Sequence, residues 1–196
     1  MNPNSTFRQD LPDSLVARFR AGDLDAFEQI YRRFERPAFT LALRLTGQRE
    51  SAQEVLQDAM LKAFERVQQF RGDAPFWGWL RRLVVNEALM LLRKRGRFDD
   101  APFDEDAFAD HAPGPWQHAD AQNLERALAE LPDTARAVLW LYHVEGYTHV
   151  EIAEQFGRTV SFSKSQVARG TQRLRELLHL EPGFAPCLIH AAGNAS

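Results

Sequence analysis

Apolar positions recur every three or four residues along most of this chain, and no stretch alternates with the two-residue period of a strand. That pattern predicts an all-α protein. A first short helix is expected over Leu11–Arg20, with Leu15, Val16 and Phe19 inward and Ala21-Gly22 closing it. Asp23 can cap a second helix, Pro37 can bend it, and Gly47 stops it. Its apolar set is Leu24, Phe27, Ile30, Tyr31, Phe34, Phe39, Leu41, Ala42 and Leu45. A third helix spans about Glu50 to Gln69, with Ala52, Val55, Leu56, Ala59, Phe64 and Val67 inward. After the polar loop Phe70–Ala74, Pro75 suits the first turn of a fourth helix. That helix carries Phe76, Trp77, Trp79, Leu80, Leu83, Val84, Ala88, Leu91 and Leu92, and it runs to about Lys94 within the basic run RKRGR.

The pattern then breaks. Between Phe98 and Asp120 stand Asp99, Asp100, Asp104, Glu105, Asp106, Asp110 and Asp120, with three prolines and no Lys or Arg. Such a segment buries too little apolar surface to offset chain entropy and reads as an acidic, extended linker. Helical periodicity resumes with one helix to Leu131 and another from Pro132 to about Glu145, with Val138, Leu139, Leu141 and Tyr142 inward. The expected organisation is two small helical domains at 1–97 and 121–180, a linker at 98–120, and a loosely held tail at 181–196.

The stretch Gly146–Leu178 has the features of a helix-turn-helix. Thr148 followed by Glu151 is a capping box, and Val150, Ile152, Ala153 and Phe156 give the first helix an apolar face. Ala153 is small where two helices cross closely, and Gly157 supplies a C-terminal stop. Thr159 and Ser161 can cap a second helix over about Phe162 to His179. Its inner face is Val167, Gly170, Leu174, Leu177 and Leu178; its outer face is Lys164, Ser165, Gln166, Arg169, Arg173 and Arg175. A helix with such a face fits the DNA major groove. Taken alone, the same pattern equally describes a plain helical hairpin with a solvated basic side.

Composition narrows the choice. The chain has 196 residues, 44% of them hydrophobic and 26% charged, with a net charge of −3. Any nucleic-acid contact must therefore come from local basic patches rather than overall charge. Cys187 is the only cysteine, which excludes an internal disulfide and a Cys-rich zinc site and suits a reducing cytoplasm. No apolar run reaches membrane-spanning length, the N-terminus lacks a signal-peptide core, and no phosphate loop, HExxH or GxSxG is present. The spacings of His111, His118, His143 and His149 do not suit a metal site on one helix face, so these read as structural or solvated. No metal, cofactor or catalytic residue is expected.

Three stretches in this order resemble the extracytoplasmic-function sigma factors of the sigma-70 family: DSLVARFRAGDLDAFEQIYRRF, ESAQEVLQDAMLKAFERVQQFRGDAPFWGWLRRLVVNEALMLLRKR and LPDTARAVLWLYHVEGYTHVEIAEQFG. The resemblance covers about residues 11–95 and 122–178 and implies a division of labour. The first domain would bind core RNA polymerase and open the −10 element. Glu54, Gln57, Asp58 and Lys62 would meet the β′ clamp helices; on composition alone they are a solvated face. Phe70 would supply an aromatic wall and Asn86 would bond a base edge. Trp77 would face the separated strand while Trp79 packs in the core. Arg81, Arg82, Arg93, Lys94, Arg95 and Arg97 would neutralise phosphates. The second domain would read the −35 element with Lys164, Ser165, Gln166, Ala168 and Arg169, and Arg173 and Arg175 would touch phosphate.

Three departures stand out. Met90 occupies a usually polar position, Arg158 replaces an apolar residue, and SFSKS replaces the usual GTVKS, so Phe162 could take the buried place of the valine or contact a thymine methyl. The resemblance further implies the β flap, promoter DNA and an anti-sigma factor as partners, a cytoplasmic location, and no enzymatic activity of the chain itself. The linker would pass near the RNA exit path, its acids mimicking nucleic acid. Two other readings fit the residues: a helix-turn-helix regulator that binds duplex DNA without polymerase, and an interaction module whose hairpins are only scaffold.

Overall fold

The computed structural model describes residues 9–95 and 121–178. Arg97, the acidic linker with His111 and His118, and the tail with Cys187 lie outside the described residues. The described residues are helical without strands, and they belong to two compact units, the first closing at Lys94.

The first unit consists of α1 (Asp13–Arg20), α2 (Leu24–Thr46), α3 (Arg49–Arg66), a 3-10 turn (Val67–Gln69) and α4 (Phe76–Lys94). The Asp23 carboxylate accepts from the backbone N–H groups of Asp25 and Ala26 at 2.9 and 3.1 Å, satisfying donors that the first turn of α2 leaves open. Arg18 donates to the same carboxylate at 2.7 Å and, together with those backbone bonds, holds it below the usual carboxylate range. Pro37 sits inside α2, which continues past it to Gly47, whose positive φ of 71° ends the helix. Helices α2, α3 and α4 pack against one another around Ile30, Phe34, Leu45, Leu56, Leu80, Leu89 and Leu92, all fully buried. Leu24 and Phe64, expected inside, are exposed. Leu24 is the first residue of α2; Phe64 lies edge to face with Phe27 at 5.2 Å and tilted against Phe19 at 6.2 Å, yet stays 38% exposed.

The second unit consists of α5 (Ala121–Ala129), α6 (Asp133–His143), α7 (His149–Phe156) and α8 (Val160–Leu177). Helix α6 is its centre: Ala137, Val138, Leu139 and Leu141 are buried, and both α7 and α8 pack on it. Gly170 lets α8 come close, since a Cβ at that position would lie 2.8 Å from Leu139 Cδ1. Arg136 is buried at the α5–α6 turn, where it pairs with Asp133 and donates to the Leu131 carbonyl at 3.3 Å.

The capping box forms in full. Thr148 Oγ1 accepts from the Glu151 backbone N–H at 3.2 Å, and the Glu151 carboxylate accepts from the Thr148 N–H at 2.8 Å. Gly157, at φ 62°, closes α7, and Thr159 caps α8 by accepting from the Phe162 N–H at 3.2 Å. Ser161, the other expected cap, lies inside α8, which begins two residues earlier than the pattern suggested. Val150, placed on the apolar face of α7 by periodicity, is 54% exposed, because only the side of α7 holding Ile152, Ala153 and Phe156 meets α6 and α8.

Candidate nucleic-acid interface

Helix α8 has one solvent-facing row. Ser161, Lys164, Ala168, Arg169, Gln172, Arg173 and Glu176 are exposed, at the three- and four-residue spacing of a single helix face. Lys164, Ala168, Arg169 and Arg173, four of the residues expected toward DNA, thus share one exposed side of α8. Arg173 pairs with Glu176 at 3.1 Å, an exposed pair worth little to stability.

Ser165 and Gln166, expected on the same face, are buried, and so is Arg175. The buried side of α8 is wider than its apolar residues suggest, since α5, α6 and α7 all pack on it. Of the −35 candidates, Ser165 and Gln166 are thus corrected to interior positions. The atypical turn also packs differently from expectation. Ser163, not Phe162, takes the fully enclosed place, and its Oγ lies 3.0 Å from Nδ1 of His149. Phe162 is half-buried against Phe156, with centroids 5.8 Å apart, and the Arg158 guanidinium lies over its ring.

In the first unit, Asn86, Arg82, Arg93 and Lys94 are exposed along α4, as is Met90; Arg95, just past the end of the helix, is exposed too. The aromatic residues differ from expectation. Phe70 is only 8% exposed, edge-on to Phe76 at 5.4 Å and tilted against Trp79 at 5.6 Å, so its ring is mostly used within the protein. Trp77 is 5% exposed and cannot face a separated strand, whereas Trp79 retains partial exposure. Arg81, one turn on, is buried with its guanidinium over the Trp77 ring at 5.5 Å, which removes it from the phosphate-neutralising set. The bundle decides this reversal: α4 packs on both α2 and α3, and Trp77 and Arg81 fall on its buried part.

On α3, Glu54, Gln57 and Asp58 are exposed together on one face. Lys62 is half-buried and bonds Glu87 of α4 at 2.6 Å, so it braces the two helices. Glu87 is 5% exposed, and burying one carboxylate is tolerable because the lysine supplies an opposite charge. Sequence reasoning passed over Glu87, since nothing local marks a glutamate with a partner 25 residues away. Ser163 did carry a signal: it lies on the buried period of Gly170 and Leu174. A shallow cleft between α3 and α4 is lined by Glu54, Val55, Asp58, Glu87, Met90, Leu91 and Lys94.

His143 is held down to about pKa 4, by burial first and the neighbouring His149 second. The His149 imidazole lies flat on Tyr142, with centroids 4.4 Å apart. Among the described residues, no cluster of His, Cys, Asp and Glu has the form of a metal site, and no helix is long and apolar enough to cross a membrane.

Comparison with known proteins places these helices in a family. The profile of sigma-70 region 2 matches residues 30–98, and that of sigma-70 region 4 matches residues 121–174. The ECF RNA polymerase sigma factor SigM of Mycobacterium tuberculosis is 37% identical over 166 residues, covering 84% of this chain and 83% of that protein. The RNA polymerase sigma-H factor of Pseudomonas aeruginosa is 29% identical, covering 87% of this chain and 95% of that one. Among solved structures, the sigma factor RpoE in complex with the anti-sigma factor NepR from Bartonella quintana superposes with a TM-score of 0.54 at 26% identity, covering 79% of this chain and 98% of that one. With both regions matched in order and a relative above 30% identity across most of its length, the chain belongs to the extracytoplasmic-function sigma factors of the sigma-70 family.

Proposed function

We propose that this chain binds core RNA polymerase in the cytoplasm, directs it to promoters with paired −35 and −10 elements, and starts transcription. Phosphodiester chemistry belongs to the core enzyme, and this chain supplies recognition and strand opening. The observation that carries the reading is the exposed row Lys164, Ala168, Arg169 and Arg173 on a helix capped at Thr159 and braced by α6. That row supports major-groove contact: Arg169 can bond guanine O6 and N7, worth about 1–3 kcal/mol of discrimination, while Arg173 can touch phosphate.

In the first domain, residues 1–97, exposed Asn86 and part-exposed Trp79 support capture of an unpaired base. Opening costs a few kcal/mol per unstacked base, which stacking and edge bonds must offset. Phe70 contributes by holding Trp79 in place. Arg82 and Arg93 would hold the strand's phosphates. Glu54, Gln57 and Asp58 form the surface for the β′ clamp helices, with Lys62 at its border, and the second domain, 121–180, meets the β flap. An anti-sigma partner covering the polymerase-facing surface is the matching regulatory proposal, in keeping with the RpoE–NepR complex among the structural relatives.

The test is permanganate footprinting of a fragment from upstream of this protein's own gene. Opening is expected only when the chain and core polymerase are both present. Tight duplex binding without polymerase, with no opening in its presence, would replace this reading with that of an ordinary helix-turn-helix regulator.

A further inference from the structure

The helix-turn-helix contains a polar joint that none of the assignments above uses. Ser163 is 0% exposed, at a position where the period of α8 calls for an apolar side chain. Its Oγ lies 3.0 Å from Nδ1 of His149, the first residue of α7. On the other side the Tyr142 ring from α6 lies against the imidazole, 4.4 Å between centroids and 16° between planes. Serine and tyrosine together fix both the position and the plane of the histidine. With Nδ1 committed, Nε2 remains; the residue is only part-buried, and Nε2 is not among the enclosed polar atoms lacking a partner. Lys164, next to Ser163 in sequence, is exposed, and its charge adds to burial in holding the imidazole below its usual range.

We propose that His149 binds a backbone phosphate of duplex DNA through Nε2, beside Lys164, and takes up a proton as it does so. The proposal rests on the reading of this domain as a DNA-binding one. In helix-turn-helix proteins the first helix crosses the phosphate backbone while the second enters the groove. A histidine at the start of α7, locked by a serine from α8, therefore lies on the side of the motif that meets phosphates. The titratable and charged groups around it are Tyr142 and His143 from α6, Glu151 turned back onto the Thr148 cap within α7, and Lys164 from α8.

In the free protein, burial and then Lys164 hold the His149 imidazole below its usual range, so it is neutral near neutral pH. A phosphate seated beside Lys164 offsets that cation and adds negative charge, and both changes favour the imidazolium. The bound form then holds more protons than the free form. Affinity rises as pH falls through the pKa of the bound state, and the gain is complete below that of the free state. Each unit of separation between the two is worth about tenfold in affinity. His143, held near pKa 4, stays mostly neutral over the same range.

Fluorescence anisotropy with a labelled random-sequence duplex of about 30 base pairs tests this, because a backbone contact needs no particular sequence. The full-length chain is measured alone and with core polymerase. His149→Gln retains a side chain that can bond Ser163 but cannot carry charge. Between about pH 7.5 and about pH 5.5, wild type should tighten about threefold to tenfold more than His149→Gln. At the lower pH its log–log salt slope should be steeper by about one. Ser163→Ala, which removes only the anchor, should shrink the low-pH gain. Identical pH profiles and salt slopes for wild type and His149→Gln overturn the phosphate contact; an undiminished gain in Ser163→Ala overturns the anchoring role. If no protein binds duplex with or without polymerase, the DNA-binding reading itself fails, and the His149 contact with it.

Discussion

Substituting Gly170 tests how tightly the recognition helix is held. In an open helix, Gly→Ala stabilises by about 1 kcal/mol, because alanine loses less backbone entropy. At Gly170 the new methyl would sit 2.8 Å from Leu139 Cδ1, 3.1 Å from its Cγ and 3.5 Å from the Ala135 Cβ. Leu139 is only 1% exposed, enclosed in the helix that α7 and α8 both pack on, so it has little room to yield. Overpacking of this kind costs about 1–3 kcal/mol. Taking the middle of that range against the propensity gain, Gly170→Ala should destabilise the second unit by about 1 kcal/mol, lowering its Tm by roughly 4–8 °C. Leu139→Ala alone should cost about 2–5 kcal/mol through the cavity it leaves. In that background the added methyl has space, so Gly170→Ala should turn stabilising by up to about 1 kcal/mol. Thermal and urea unfolding of the four proteins, followed by circular dichroism, closes the cycle. If Gly170→Ala stabilises the otherwise unchanged chain, close packing of α8 on Leu139 is not what positions the recognition face.

Other outcomes follow from the same geometry. Arg169→Ala should relax sequence preference at one −35 position by about 1–3 kcal/mol without unfolding the domain, whereas Gln166→Ala, at an enclosed position, should change Tm rather than base preference; selection from a randomised −35 library separates the two. Asn86→Ala should lower permanganate reactivity on a duplex promoter by about tenfold or more, and less on a template already mismatched at −10, since only the former must pay for unstacking. Stability of the second unit should fall as pH drops from about 6.5 towards about 4. His143 is held down to about 4 in the fold, so the unfolded chain takes its proton first. His143→Gln should flatten that segment of the Tm–pH curve, and an unchanged slope would show that another group is responsible.

What could be read from residue order alone was whatever is decided within a few residues. The Thr148–Glu151 box, the Asp23 cap and the stops at Gly47 and Gly157 are short-range backbone bonds and dihedrals, and all formed where the sequence placed them. The helical class, the grouping of helices and the exposure of Lys164, Arg169 and Arg173 followed from periodicity in the same way, while Ala168 came from the family resemblance. Tertiary packing decided which side of each helix is covered, and by how much. Periodicity finds the middle of a buried stripe but not its width, which depends on how near the neighbouring helix comes. Helix α8, packed on α5, α6 and α7, has Ser165, Gln166 and Arg175 enclosed, while Val150 on α7 and Leu24 at the start of α2 stay outside. The same limit reversed Trp77 and Trp79, two residues apart on a helix flanked by two others. Pairs such as Lys62–Glu87 and His149–Ser163 had no local signature, because each exists only once two helices lie side by side.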